Sequence, residues 1–309
     1  MNETEKYVQQ YKDAFNLKKN SRLVGSSKDI ILDSVFNLAK IRVVSFGSAL
    51  FLYINHLWKY KRYFSNIFEQ KDSGVGKDVL LIGNGPSQGL IDLKFLDSFS
   101  KNGNDTMAIN FWHENKSLSK HIPSYMIFSD PYSFDEKRLK SKASGLIEYL
   151  SKNSINIVAP INQIKNIKDI KSLKTNKFHG FVDIEFKGWD NTHPAFPRGY
   201  TSMTMYKMLA WAVYKNYDNI YIIGMDNTYI RTMFNDHNNQ LWNVENHAGS
   251  DPYLIALPHK SIATRLQELV YLFSDLRKFK HDNIYNIDLY SLIDQFEKKD
   301  LIGDYKNKI

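Results

Sequence analysis

Residues 78–87, DVLLIGNGPS, carry the strongest fold signal in the chain. Residues 78–82 form a short apolar run that predicts a buried strand, and a glycine-rich turn and a helix are expected after it. Glycines at such a turn let the backbone approach a phosphate, and a helix start favours anions. The turn lacks a Walker Gly-Lys-Ser/Thr ending, and Gly89 is misplaced for Gly-x-Gly-x-x-Gly. A tight turn that binds nothing also fits the pattern.

Short apolar runs alternate with helical patterns from residue 77 onward. Further strands are expected at 106–109, 125–128, 155–159, 219–223 and 283–287, and helices at 201–214 and 259–279. This alternation predicts an α/β fold with a Rossmann-like, mainly parallel sheet flanked by helices. The expected domain covers residues 76–309.

Small or polar residues follow four of the expected strands. They are Gly83, Asn84, Gly85 and Ser87 after the first strand, Asn110 after the second, Ser129 and Asp130 after the third, and Asp226 after the strand at 219–223. Each could be a turn former or a helix cap. Because open α/β sheets bind ligands at the carboxyl ends of their strands, the four ends together predict one shared crevice.

The segment PRGYTS, residues 197–202, opens the helix expected at 201–214. Thr201 or Ser202 could be an ordinary helix cap. The same helix start could also bind a phosphate or a carboxylate, with Arg198 beside it. Nearby, residues 183–185 (DIE) come closest to an Asp-x-Asp metal motif, but their alternation predicts a strand instead. No metal site is therefore expected.

The composition of the 309-residue chain limits its partners. A hydrophobic fraction of 43% can fill a core, and the net charge of +8 attracts anions such as nucleotides or anionic lipid. That charge is spread along the chain, so nucleic acid is not expected as a partner. The chain has no cysteine, which excludes disulfides and thiolate zinc sites.

The N-terminal part has a different pattern from the rest of the chain. Residues 28–70 predict helix, and the uncharged stretch 43–54 is too short to span a bilayer, which needs about 20 apolar residues. Trp58, Lys59, Lys61 and Arg62 follow it, as in an interfacial anchor on anionic lipid. A helix docked on the main domain explains the stretch equally well. A polar break at 72–77 predicts that residues 1–75 form a separate helical segment.

The motifs resemble bacterial sialyltransferases of the Campylobacter type, glycosyltransferase family 42. Over residues 77–290, the chain has the family's Gly-Asn-Gly-Pro-Ser turn, its Asn after the second strand, and its strand ending in Gly-x-Asp and a tyrosine. Arg198 to Ser202 matches Arg-x-Thr-Ser with one extra residue, and His259 matches the His-Ser-Lys before a long helix. Asp130-Pro131 replaces the family's Asn-Pro, and the family's second lid tyrosine has no clear counterpart.

The resemblance implies a GT-A-like variant of the fold with a mobile lid at about 229–258. It also implies inverting, metal-independent transfer of a sialic acid or related nonulosonic acid from a CMP-sugar substrate to a glycan acceptor, without a cofactor. His259 would be the general base, with His247 as the other candidate, and Tyr229 and Arg198 would complete the catalytic group. Gly83, Asn84, Gly85, Ser87, Asn110, Ser129, Asp130, Thr201, Ser202 and Asp226 would bind the donor.

The expected setting is the synthesis of surface polysaccharide or lipooligosaccharide. The protein would be cytoplasmic and peripheral at the inner face of the bacterial inner membrane, and the sequence leaves a homo-oligomer open. Two other functions remain open. One is a pterin pyrophosphokinase-like enzyme, which would need ATP and Mg²⁺, and the other is a membrane-docked nucleotide-binding protein without turnover.

Overall fold

The chain is described here from a computed structural model. The structure describes residues 35–110, 112–129, 134, 145–168, 170–184, 186, 191–198, 203–226, 272–273, 276–279 and 282–306. Within this part of the chain, no helix combines the length and the apolar character needed to cross a bilayer.

Among the described residues, eight strands form one sheet in which every pair is parallel. They are β1 (Asp78–Ile82), β2 (Asp105–Ile109), β3 (Tyr125–Ile127), β4 (Asn156–Pro160), β5 (Phe178–Phe181), β6 (Asn219–Ile223), β7 (Ile284–Asn286) and β8 (Glu297–Lys298). The expected α/β fold with a parallel sheet is thereby confirmed.

The strand order is β5-β4-β3-β2-β1-β6-β7-β8. From β1 the chain builds the sheet outward to one side as far as β5, and β6 then returns to the other side of β1. The direction of building therefore reverses between β1 and β6. In sheets of this type, the crevice for ligands lies outside the carboxyl ends of the strands at this switch point.

Helices cover both faces of the sheet, which explains why β1 is apolar from Val79 to Ile82, after its half-buried first residue Asp78. Val79 and Leu81 belong to the core on one face, whereas Leu80 and Ile82 belong to the core on the other. Alternate side chains of a strand point to opposite faces, so a strand buried on both sides must be apolar at every position.

Seven α-helices have described bounds. They are α1 (Val35–Lys59), α2 (Lys61–Phe68), α3 (Leu93–Lys101), α4 (Leu146–Asn153), α5 (Ile161–Lys168), α6 (Thr204–Lys215) and α7 (Leu301–Lys306). Helix α6 packs on the face that carries Val79, and α3 and α4 pack on the opposite face. The side chain of Asp92 caps α3 by accepting a hydrogen bond from the Phe95 N–H at 2.8 Å.

The helix expected over residues 28–70 is confirmed from Val35 onward, with a break at Tyr60 between α1 and α2. Phe64 and Ile67 of α2 lie in the core beneath the sheet. Among the described side chains of α1, Ala49 alone is buried. The separation of residues 1–75 from the rest stays a prediction.

Three local expectations differ from the structure. The strand expected at 183–185 is not seen at Asp183 and Ile184, which lie beyond the end of β5, although the Arg198 N–H donates to the Ile184 carbonyl at 2.9 Å; residue 185 lies outside the described residues. The sequence pattern did not predict β5 or β8. The helix expected after the first strand is only a 3₁₀ turn over Pro86–Leu90, since Asp92 starts the α-helix proper.

Candidate functional site

The loops that follow β1 and β6 meet at the switch point. The Gly83 N–H donates to the Ile223 carbonyl at 2.8 Å, and the Gly85 N–H donates to the Gly224 carbonyl at 2.9 Å. The hydrogen bonding between the two central strands therefore continues past their ends and joins the two loops.

Glycine is required where these loops cross. A Cβ atom at Gly83 would overlap the Gly224 carbonyl, and one at Gly85 would overlap the Asp226 carboxylate and lie 2.7 Å from the Gly224 oxygen. Gly224 also has a φ of +73°, a left-handed conformation that side chains disfavour. The glycines of the GNGPS turn thus permit contact between two protein loops.

Ser87 and Asp226 hold the same junction with their side chains. The Ser87 N–H donates to Asp226 Oδ2 at 3.1 Å, and the Gly224 N–H donates to Ser87 Oγ at 2.8 Å. The N–H groups of Gly83, Gly85 and Ser87 therefore all have protein partners. The neighbouring loop already uses these three N–H groups, so their expected role in binding a phosphate stays a prediction.

Asp226 is paired with an acid that the sequence analysis missed. Asp288 follows β7, and both carboxyl groups are 4% exposed. Burial, together with a hydrogen bond to Asp288, raises the pKa of Asp226 to about 7, and the hydrogen bonds with Ser87 oppose the rise. Burial beside a second carboxyl group therefore favours the protonated form of Asp226. A polar residue after a strand was the available signal for Asp288.

Asn110 and Ser129 lie at the carboxyl ends of the next two strands. The Asn110 N–H donates to the Ile127 carbonyl at 3.1 Å, and its φ of +48° is a left-handed conformation that Asn tolerates. Its side-chain Oδ1 is buried and has no hydrogen-bond partner among the described residues. The Ser129 hydroxyl bonds that of Thr204 at the start of α6. Asn110 therefore brings a spare acceptor to the site, where Asp226 Oδ1 is a second buried acceptor without a hydrogen-bond partner among the described residues.

Arg198 is fully buried. Its Nη2 donates to the Val182 carbonyl at 3.1 Å, whereas Nε and Nη1 have no partner among the described residues. Burial lowers its pKa and the nearby Asp183 opposes this, while Asp183 also forms an ion pair with Lys207 at 2.9 Å. A ligand could touch this guanidinium only if the surrounding residues moved, so a direct catalytic role for Arg198 stays a prediction.

The remaining predicted site residues divide into two groups. Asn84 is half-buried on the crevice loop, where its carbonyl accepts from the Gln88 amide at 3.3 Å. His259, Tyr229, Asp130, Thr201, Ser202 and the lid expected at 229–258 lie outside the described residues. Helix α6 begins at Thr204, with Met203 rather than a hydroxyl residue at its cap.

The described residues contain no group of three or more His, Asp or Glu side chains placed to hold a metal ion. Protein-family models, curated proteins and solved structures were compared with the chain, and none matches it. The fold itself is that of an α/β protein with an open parallel sheet and polar residues at the strand ends of its switch point.

Proposed function

We propose that this protein is a glycosyltransferase that moves a sialic acid or a related nonulosonic acid from a CMP-sugar to a glycan hydroxyl. The observation that carries the proposal is the buried Oδ1 of Asn110 at the switch point, which lacks a partner among the described residues. Buried polar atoms are rarely left unpaired, so such an atom in a crevice is best explained by a ligand. The motif order supports a CMP-sugar as that ligand.

The carboxyl ends of four neighbouring strands would line the proposed nucleotide-sugar site. Strands β3, β2, β1 and β6 are consecutive neighbours, so their ends span about 14 Å at the usual spacing of 4.8 Å between strands. An N–H or hydroxyl of the nucleoside would donate to Asn110. Since the N–H groups of Gly83, Gly85 and Ser87 are occupied, the phosphate would need side-chain donors, and Asn84, Thr201 and Ser202 are the candidates.

The proposed chemistry assigns one task to each catalytic residue. His259 takes the proton of the acceptor hydroxyl, because an imidazole is an effective base near neutral pH. As the anomeric carbon inverts, the bond to the phosphate breaks, and the Tyr229 hydroxyl stabilises the charge on the leaving CMP. Arg198 supplies positive charge to the site, and no metal or cofactor takes part.

The test is to incubate the purified protein with a panel of CMP-sugars and measure CMP release, with and without EDTA. Release with one nonulosonic acid donor, unchanged by EDTA, is the expected result. His259→Ala should slow transfer about 10²–10⁴-fold with little change in CMP affinity, whereas His247→Ala should do much less. If His247→Ala is the variant that loses transfer activity, then His247 rather than His259 is the general base. If neither loses more than a few-fold, the proposed chemistry is wrong.

A pyrophosphokinase-like enzyme is the second candidate, and the Asp226–Asp288 pair favours it. Mg²⁺ in proteins is commonly bound by one or two carboxylates together with substrate phosphates. Turnover of ATP that EDTA abolishes and Mg²⁺ restores would establish this function in place of the first. CMP binding without turnover of any donor would instead identify a nucleotide-binding protein.

The proposed acceptor is a surface polysaccharide or lipooligosaccharide. Such glycans are assembled on lipid carriers, so we place the protein in the cytoplasm, peripheral at the inner face of the inner membrane. The basic net charge of +8 is compatible with that anionic surface.

A further inference from the structure

Helix α1 exposes an unusual amount of apolar surface. Nine of its large apolar side chains are between 38% and 88% exposed: Val43, Val44, Phe46, Leu50, Phe51, Leu52, Ile54, Leu57 and Trp58. Single exposed apolar residues are ordinary, but a large contiguous apolar patch is typical of a surface that binds a protein or a membrane.

The side chains of α1 are sorted around its circumference. At 3.6 residues per turn, Ala49, Tyr53 and His56 share the side that faces the domain, and all three are buried or half-buried. Ser48, Asn55 and Lys59 form a narrow polar strip. Eight of the nine apolar residues, all but Leu52, fall on one arc of roughly 160° at that helical repeat.

The basic residues lie at one end of this apolar arc. Trp58 is 88% exposed, and Lys59, Lys61 and Arg62 directly after it are all exposed. In the described structure no ion pair involves these three cations. An amphipathic tryptophan beside free cations matches the boundary between the acyl chains and the headgroups of an anionic bilayer.

We propose that α1 lies in the plane of an anionic membrane, with its apolar arc inserted among the acyl chains and Lys59, Lys61 and Arg62 on the lipid headgroups. A helix in this position inserts about 5–10 Å deep without crossing the bilayer. The charge at the end of the arc favours anionic lipid over a second copy of this chain, which would offer the same apolar face and the same positive charges.

The contacts of α1 with the domain fix how the membrane would hold the protein. Phe46 meets the ring of Phe186 at 5.6 Å between centroids, and Tyr53 meets Phe196 at 5.9 Å. Phe186 follows the carboxyl end of β5. The first half of α1 therefore lies near the carboxyl ends of the strands, as the candidate site does. A membrane-bound molecule would therefore hold the β5 edge of the sheet near the lipid. This proposal does not depend on the proposed enzymatic function.

The test is flotation of the full chain with vesicles of phosphatidylcholine alone or mixed with phosphatidylglycerol. The wild type should float with the anionic vesicles and at least tenfold less with the neutral ones. The variant Phe51→Ser/Trp58→Ser should lower binding at least tenfold. The variant Lys59→Gln/Lys61→Gln/Arg62→Gln should lose roughly 10- to 100-fold on anionic vesicles alone.

The matched control is Ile122→Ser/Tyr290→Ser, which removes two exposed apolar side chains far from α1 in sequence and should float like the wild type. All of the changed side chains are at least half exposed or charged, so circular dichroism should show intact folding. Wild-type protein that stays with neither vesicle, or equal loss in the control, overturns the proposal. A lipid-free dimer that Phe51→Ser/Trp58→Ser dissociates also overturns it, because a second copy would then cover the face.

Discussion

The two ends of the sheet are both rich in buried polar groups, but they use them differently. At the amino ends of the strands, the Tyr217 hydroxyl donates to Asp105 at 2.7 Å and the Lys215 ammonium donates to Ser73. At the carboxyl ends, Asn110 Oδ1 and Asp226 Oδ1 have no hydrogen-bond partner among the described residues and lie at the switch point, whereas the unpaired Asn176 Oδ1 and Tyr214 hydroxyl near the amino ends lie away from it. Satisfied polar groups stabilise a fold, whereas unsatisfied ones at a crevice indicate a ligand site.

The amino end also shows that a perturbed ionisable group is not by itself a site. Burial lowers the pKa of Lys215 to about 8, with Asp105 opposing the change, and the ammonium lies 4.8 Å from the centre of the Tyr125 ring. Its hydrogen bonds are all to the protein's own residues. We therefore assign the amino end to stability and the carboxyl end to binding, and four experiments test that division.

The largest expected effect comes from breaking the junction at the carboxyl end. Gly224→Ala should destabilise the protein by about 2–4 kcal/mol, because the new Cβ meets the Gly83 carbonyl and the backbone is left-handed. Gly89→Ala is the control, since nothing lies within 4 Å of its added Cβ. Urea unfolding measures both. Equal stability of the two variants would show that the loops do not need to touch.

At the amino end, Tyr217→Phe should lower stability by about 2 kcal/mol. It removes a hydrogen bond to a carboxylate from a side chain that is 1% exposed. CMP affinity, measured by calorimetry, should not change. Tyr290→Phe, at a 79% exposed position, should change neither quantity. A loss of CMP affinity in folded Tyr217→Phe would contradict the division between the two ends.

Asp226→Asn should stabilise the protein by about 1–2 kcal/mol at pH 8 and have little effect near pH 4. The pKa of Asp226 rises from 3.8 to about 7 on folding, so the folded wild type holds a proton that the unfolded chain releases between these values. Wild-type stability therefore falls as pH rises from about 4 to 7, and the full penalty remains above pH 7. An amide carries no such penalty and can still accept from the Ser87 N–H.

Unfolding curves of wild type and Asp226→Asn at pH 4.5 and pH 8 measure this difference, because titration of all other groups cancels in the comparison. A stability gain that is the same at both pH values would show that folding does not raise the pKa of Asp226.

The smallest effect, and the most specific, is on ligand affinity. Asn110→Gly keeps the left-handed backbone but deletes the spare acceptor, so CMP affinity should fall about tenfold while stability changes by less than about 1 kcal/mol. Asn216→Gly is a matched control, since Asn216 has a φ of +59° and lies before β6, at the opposite end of the sheet. Equal CMP affinity in the two variants would remove Asn110 from the binding site.

Local patterns predicted much of the fold. The apolar run in β1 predicted a buried strand, and β6 was predicted at its observed bounds of Asn219–Ile223. The ends of β2, β3, β4 and β7 were predicted within one or two residues. These predictions were right because a strand buried on both faces, or a helix buried on one face, needs apolar residues at regular positions along the sequence. Strand β8 consists of two exposed residues, so it has no apolar pattern by which it could be predicted.

The sequence by itself determined that this is an α/β protein with polar residues at the carboxyl ends of its strands. Only the tertiary structure decided what those residues do: Gly83 and Gly224 touch each other, Asp226 pairs with Asp288 across 62 positions of sequence, and Arg198 is buried. The physical reason is the distance along the sequence over which the interactions act. Periodicity and turn chemistry depend on neighbours along the chain, whereas hydrogen-bond satisfaction, desolvation and exposure depend on groups that only folding brings together.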